Sequence, residues 1–132
     1  MILTFKIALT DWHAVLEVDS STTLDELHLA IQEAVQFDDD HMYEFFIART
    51  KRSQDKKHFD MEDGDLDTTR IADLLPLPKD RKLFYLFDYG DSWTFTVSRT
   101  RRPPFEPEKG VQYPRLIKEV GDRPEQYPDY DE

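Results

Sequence analysis

Two aromatic-rich runs flank a glycine-aspartate pair in the segment Leu83-Phe84-Tyr85-Leu86-Phe87-Asp88-Tyr89-Gly90-Asp91-Ser92-Trp93-Thr94-Phe95-Thr96-Val97-Ser98. Aromatic and β-branched residues suit a pleated, half-buried surface, and Gly-Asp suits a two-residue turn with glycine first. The segment therefore predicts a long antiparallel hairpin. A two-residue loop pairs Tyr89 with Ser92, so Asp88 faces Trp93, Leu86 faces Phe95 and Phe84 faces Val97. Directly opposed residues share a face. The expected core face is Phe84, Leu86, Phe95 and Val97, ending in Asp88 beside Trp93, and the opposite face carries Leu83, Tyr85, Phe87 and Tyr89. A carboxylate at the edge of an apolar face must be hydrogen-bonded, paired or raised in pKa. Anchoring of the turn through backbone N–H groups is the plain account of Asp88 and Asp91; contact with a ligand or substrate is the sharper one.

The rest of the chain surrounds this hairpin with shorter elements. Leu3, Phe5, Ile7 and Leu9 alternate with Ile2, Thr4, Lys6 and Ala8, as a strand requires. His13 to Val18 reads as a second strand with Ala14, Leu16 and Val18 on one face. Thr23 and Glu26 form a capping box, and Leu24, Leu27, Ile31, Ala34 and Val35 follow at helical spacing. This helix should stop near Phe37, before Asp38-Asp39-Asp40, with a third strand over 42–48. The polar stretch from Arg49 to Asp67 reads as a long excursion or a flexible hairpin, basic first and acidic after. Thr69 to Leu75 predicts a second short helix ended by Pro76. Six of the eight prolines lie after Arg102, so residues 103–132 read as an extended, proline-rich tail wrapping the rest, with a helical turn or two from Arg115 to Val120. The expected fold class is α+β. It has a mixed or antiparallel sheet, a β-grasp-like strand-strand-helix start, a second short helix, the long hairpin and the wrapping tail, all in one domain over 1–132.

Charge and composition exclude more functions than they indicate. The 28 acidic against 17 basic residues give a net charge of −11, which a phosphate backbone repels, so duplex DNA is not an expected partner. A basic protein partner is the complementary expectation. There is no cysteine, which excludes disulfides, thiolate nucleophiles and cysteine metal sites. No run approaches the roughly 20 apolar residues that span a bilayer, and the opening MILTFKIALTDW lacks the pattern of a signal peptide. A cytoplasmic location is the resulting expectation.

The sequence Tyr85-Leu86-Phe87-Asp88-Tyr89-Gly90-Asp91-Ser92-Trp93 resembles the Y-x-Y-D-F-G-D-x-W signature of the plasmid Ri A4 Orf-three-like family. Members of that family are also described as insertion-element passenger proteins of resolvase type. Thr23 to His28, Phe37 to Phe45, Ile71 to Leu75 and Gly110 to Arg115 agree with it as well, so the resemblance covers most of the chain. It implies an α+β fold without an established activity. A serine recombinase would need a nucleophilic serine in an arginine-rich site and a basic DNA-binding part, and this acidic chain displays neither. The chain departs from the family at two places. Tyr43 stands where the pattern H-x-H-E-F has its second histidine, and the stretch from Val120 to Pro128 lacks the cysteine of the family's C-P-P-E-D-x-G-G segment.

The candidate binding residues are Asp88, Asp91, Trp93, His41, Glu44 and Tyr89. Asp38, Asp39, Asp40, His41 and Glu44 form an acid-rich patch after the helix whose oxygen and imidazole donors suit a divalent cation, and His41, Asp88 and Asp91 with Glu44 are the set a metal-dependent enzyme would use. Their spacing matches neither an EF-hand nor an H-E-x-x-H site, and no resident metal or cofactor is expected. His28 borders the apolar face of the helix and is expected to pack. Arg49 to Lys57 and the cluster Arg99, Arg101 and Arg102 are candidates for phosphate contact, but no glycine-rich phosphate loop or G-x-S-x-G elbow accompanies them. Without a catalytic motif, the reading leans away from an enzyme and toward a non-enzymatic interaction or accessory module. A metal-dependent hydrolase or nuclease using the Asp/His cluster, and a nucleic-acid accessory protein using the basic stretch, are the alternatives.

Overall fold

The computed structural model describes residues 1–62 and 64–126. Asp63 and the tail beyond Gln126, with Tyr127, Pro128 and Tyr130, lie outside them. Seven strands form one sheet: β1 (Ile2–Ala8), β2 (Trp12–Asp19), β3 (Tyr43–Ala48), β4 (Lys57–Asp60), β5 (Lys82–Phe87), β6 (Trp93–Arg99) and β7 (Arg115–Gly121). Their order is β4-β3-β5-β6-β1-β2-β7, with every pairing antiparallel. Among the described residues there is one α-helix, α1 (Leu24–Val35), which packs on one face.

The expected α+β class is overturned. Of the described residues 13% are helical and 38% are in strands, which makes a mostly antiparallel sheet with one helix. Thr69–Leu75, expected as a second helix, makes only the 3-10 turn Ile71–Leu74. Its neighbouring backbone is committed elsewhere. The N–H of Ile71 donates to Thr22 O, and Thr69 O accepts from Leu24 N, so the segment is stitched to the start of α1. Pro76 and Pro78 then bar helical continuation. The strand-strand-helix start is present, but it does not lead into a β-grasp: β1 takes β6 as an antiparallel second neighbour. The expected helical turn at Arg115–Val120 is also corrected. These residues form β7, which pairs with β2 at the sheet edge, where proline-rich flanks are tolerated.

The hairpin is one residue out of the expected register. Phe87 pairs with Trp93, Tyr85 with Phe95 and Leu83 with Val97. The core face is therefore Leu83, Tyr85 and Phe87 with Phe95, Val97 and the half-buried Trp93, not Phe84 and Leu86. A one-residue slip turns every side chain of a strand over. Here the cause is the loop: it has five residues, Asp88 to Ser92, instead of two. Asp88 and Ser92 both adopt positive φ, 63° and 57°, and Ser92 N donates to Asp88 O at 2.6 Å. Phe84 and Leu86 cover the far face with Phe46 and Ala48.

The helix matches its sequence signals. Thr23 Oγ1 accepts from Glu26 N, Glu26 Oε1 accepts from Thr23 N, and Gln36 closes the C-terminus in the left-handed conformation. Leu24, Leu27, Ile31 and Val35 are fully buried against the sheet.

On the far face, the carboxylate of Glu17 is buried and held by Arg102 Nη1 at 2.6 Å and Arg115 Nε at 3.2 Å. Residues 100–105 thereby lie along β1, where Phe105 exchanges two backbone hydrogen bonds with Ile2.

Candidate functional site

The inward face of α1 carries two polar residues one turn apart, His28 and Gln32, both buried. They meet Tyr85 of β5, which is fully buried. Gln32 Nε2 donates to Tyr85 Oη at 2.9 Å, while His28 Nδ1 lies 2.5 Å from the same oxygen. Since Tyr85 Oη already accepts from Gln32, its own proton goes to His28 Nδ1. The imidazole is then neutral, with its Nε2–H donating to Asp39 Oδ1 at 2.7 Å. Burial lowers the His28 pKa below its ordinary 6.5, against the opposing pull of Asp39. Burial likewise raises the Tyr85 phenol far above its usual value, against the hydrogen bond from Gln32. The inner groups of this network, Tyr85 and Gln32, are buried in the core, while Asp39 is its exposed end.

The same network pins the acidic loop after α1. Asp39, at φ 53°, donates its N–H to Gln32 Oε1. Gln126 accepts from Asp38 N at 2.7 Å and donates to Asp40 Oδ1 at 2.9 Å. Beside it, His28 lies over Tyr43, whose Oη donates to Asp25 Oδ1 at 2.5 Å. Burial first, and then the Asp25 bond, raises the Tyr43 phenol.

Of the residues singled out in the sequence, His41 and Asp88 come together. His41 Nε2 lies 3.5 Å from Asp88 Oδ2 and 3.6 Å from Asp40 Oδ1. Asp88 is buried and its other oxygen, Oδ1, accepts from Gly90 N and Asp91 N, so the carboxylate organises its own turn. Asp91 sits exposed at the tip of that turn. Trp93 faces Phe37, not Asp88, in an edge contact 5.1 Å between centroids. Glu44 alternates with Tyr43 and Phe45 and so lies on the opposite face, bonded to His58. Tyr89 is exposed, and its Oη donates to Tyr43 O at 3.4 Å. Burial, and then the charges of Glu44, Asp60 and Glu62, raise its phenol pKa. Among the described residues, no three His, Asp or Glu side chains are grouped so as to hold a metal ion. In the basic stretch, Lys56 lies over the Phe46 ring and Lys57 over Phe59.

An open cleft of about 680 Å³ adjoins the His28–Tyr43 stack. Asp25, Asp39 and Asp40 line it together with His41, Leu29, Met42 and Met61. The three apolar side chains are 54%, 47% and 52% exposed. Leu29 and Met61 escaped the sequence reading, as did the partnership of His28 and Gln32 with Tyr85. The available signal was the His-x-x-x-Gln spacing within an otherwise apolar helix face.

Fold and site define a mostly antiparallel single-sheet protein, with a helix on one face and an acidic, methionine-bearing cleft beside that helix. The chain belongs to the plasmid pRiA4b ORF-3-like protein family, whose family model matches residues 2–127. Its fold is similar to that of MM3350, a protein of unknown function from Methanosarcina mazei Go1. The TM-score is 0.72 at 22% sequence identity, over 89% of this chain and 68% of that one. No curated protein matches the chain. Among the described residues, no helix is long and apolar enough to cross a membrane.

Proposed function

We propose that this protein is a non-enzymatic interaction module that takes a basic, amphipathic segment of a partner protein in the cleft beside α1. The observation that carries this reading is the placement of three half-exposed apolar side chains, Leu29, Met42 and Met61, among the carboxylates of Asp25, Asp39 and Asp40. Methionine adapts its shape to a partner, and carboxylates around it select for lysine and arginine. The net charge of −11 favours the same sign of partner at longer range. The internal engagement of Asp88 and Glu44, each bonded within the fold, supports a binding role over a catalytic one.

Fluorescence anisotropy with a labelled leucine/lysine amphipathic peptide tests the reading. Saturable binding is expected, weaker by about tenfold in the Met42→Ser/Met61→Ser variant and strongly reduced at roughly 1 M salt. A leucine/glutamate peptide of the same pattern should not bind. Equal binding of both peptides, or an undiminished double variant, would reject this cleft as the site. A random DNA duplex serves as a second control. Micromolar, steeply salt-dependent binding of the duplex would move the assignment to Arg49–Lys57.

A further inference from the structure

A second cleft, of about 650 Å³, opens at the other end of β5. Its floor is the core itself: Phe5, Leu83 and Val97 line it while being almost wholly buried. Leu75, Pro76 and Leu77 form one wall. Pro76 and Pro78 lack the N–H groups that would pair this segment with the strands below it, and Leu75 and Leu77 remain only partly buried on the core. The rim carries Arg81 and Arg99. Lys82, Thr96 and Ser98 alternate with Leu83 and Val97 and so turn their side chains to the far face of the sheet.

Among the described residues no carboxylate lines this cleft, in a chain whose acids outnumber its bases by 28 to 17. Among the described residues, Arg81, Lys82 and Arg99 form no ion pair. Arg81 also borders a smaller cleft holding Asp55 and Asp73, yet it pairs with neither. By contrast Arg102, three residues beyond Arg99, is committed to Glu17. Two guanidinium groups on the rim of an apolar floor repel one another, and a bound anion relieves that repulsion. An apolar floor in turn gains from an apolar body that displaces water from it.

We propose that this cleft binds a small organic anion with an apolar body, its carboxylate set between Arg81 and Arg99 and its hydrocarbon on Phe5, Leu83 and Val97. The cleft volume lies within the range of small-molecule sites, roughly 300–1,000 Å³, which combine an apolar lining with a few placed polar groups. Guanidinium groups recognise carboxylates through two parallel hydrogen bonds, which fixes the head while the floor selects the tail. A nucleotide fits this chemistry poorly, since the lining offers no glycine-rich phosphate loop. The site is separate from the acidic cleft and does not depend on it.

Octanoate, octan-1-ol and octylamine share one tail and differ in head charge, so calorimetric titration with the three decides the matter. Octanoate should bind saturably with a Kd on the order of 0.1–1 mM for a ligand of its size. The alcohol and the amine should bind at least about tenfold more weakly. Arg81→Gln/Arg99→Gln should cost octanoate about tenfold and leave octan-1-ol unchanged, while Arg81→Lys/Arg99→Lys retains most of the affinity. Methyl NMR shifts should fall on Leu75, Leu77, Leu83 and Val97, and not on Leu29 or Met42. Equal binding of octanoate and octan-1-ol, shifts confined to the acidic cleft, or an unaffected double Gln variant would each overturn the proposal. Should the double variant not fold, the exposed single change Arg99→Gln and the comparison of head groups still decide it.

Discussion

The imidazole of His28 lies flat on the phenol of Tyr43, with ring centroids 3.6 Å apart and planes 2° from parallel. One ring comes from α1 and the other from the first residue of β3, so the stack closes helix on sheet at the margin of the acidic cleft. Tyr43 fills the position of the second histidine in the family pattern. Its phenol donates to Asp25 Oδ1 while the ring carries the stack.

His28 should make the protein less stable in mild acid. Its folded pKa is lowered by burial below the unfolded value of about 6.5. At intermediate pH the unfolded chain then binds more protons than the folded one, so stability rises with pH. The contribution is complete above about pH 6.5 and is lost as pH falls through the folded pKa. NMR titration of the His28 ring should give a midpoint below 6.5, and His28→Gln should flatten the loss of unfolding free energy between about pH 7 and 5. A midpoint above the ordinary value would contradict the neutral imidazole in the Tyr85 network.

Asp88 should be replaceable by asparagine but not by alanine. Its φ of 63° is a conformation that asparagine tolerates, and an amide oxygen still accepts from Gly90 and Asp91. Denaturant unfolding should show a loss of about 1–2 kcal/mol for Asp88→Asn, and a larger one for Asp88→Ala, which loses the acceptor as well. The same proteins report on metal. Mg²⁺, Mn²⁺, Zn²⁺ or Ca²⁺ should leave the melting temperature unchanged. A saturable rise that disappears in Asp88→Asn would restore the hydrolase reading.

Trp93 should be needed for its ring and not for its nitrogen. The half-buried indole packs on Phe37, and among the described residues its Nε1 has no acceptor. Trp93→Ala should cost about 3 kcal/mol through the cavity it leaves. Trp93→Phe, which keeps the aromatic contact and removes the unpaired donor, should cost under about 1 kcal/mol. Equal losses in chemical denaturation would show that the N–H is satisfied in solution.

The Glu17 clamp should be worth more broken than replaced. Arg102→Ala/Arg115→Ala leaves a buried carboxylate without a counter-charge. Discounted for two half-exposed guanidiniums, the expected loss is about 2–4 kcal/mol. Adding Glu17→Met should recover most of it, since the buried charge is then gone. A double arginine variant as stable as the parent would mean that β7 and the 100–105 segment are held by backbone pairing alone.

Local patterns were enough to specify β1, β2, β3 and α1 with its N-terminal capping box. Strand alternation, helical spacing and the Thr23–Glu26 box are written over a few consecutive residues, and the folded chain obeys them. The turn-anchoring role of Asp88 was legible beside Gly90 and Asp91, but its proximity to His41 was not, because that joins the loop after α1 to the hairpin. Three features depended on partners distant in the chain. The face of β5 turned on whether the hairpin loop held two residues or five, and Asp88 and Ser92 reach positive φ without being glycine. Arg115–Gly121 became a strand because β2 offered an open edge. The polar network of His28, Gln32 and Tyr85 formed because helix and sheet bring them within hydrogen-bond reach. Side-chain periodicity is a property of neighbouring residues, whereas register, edge pairing and the matching of buried donors to acceptors are set only when distant segments meet.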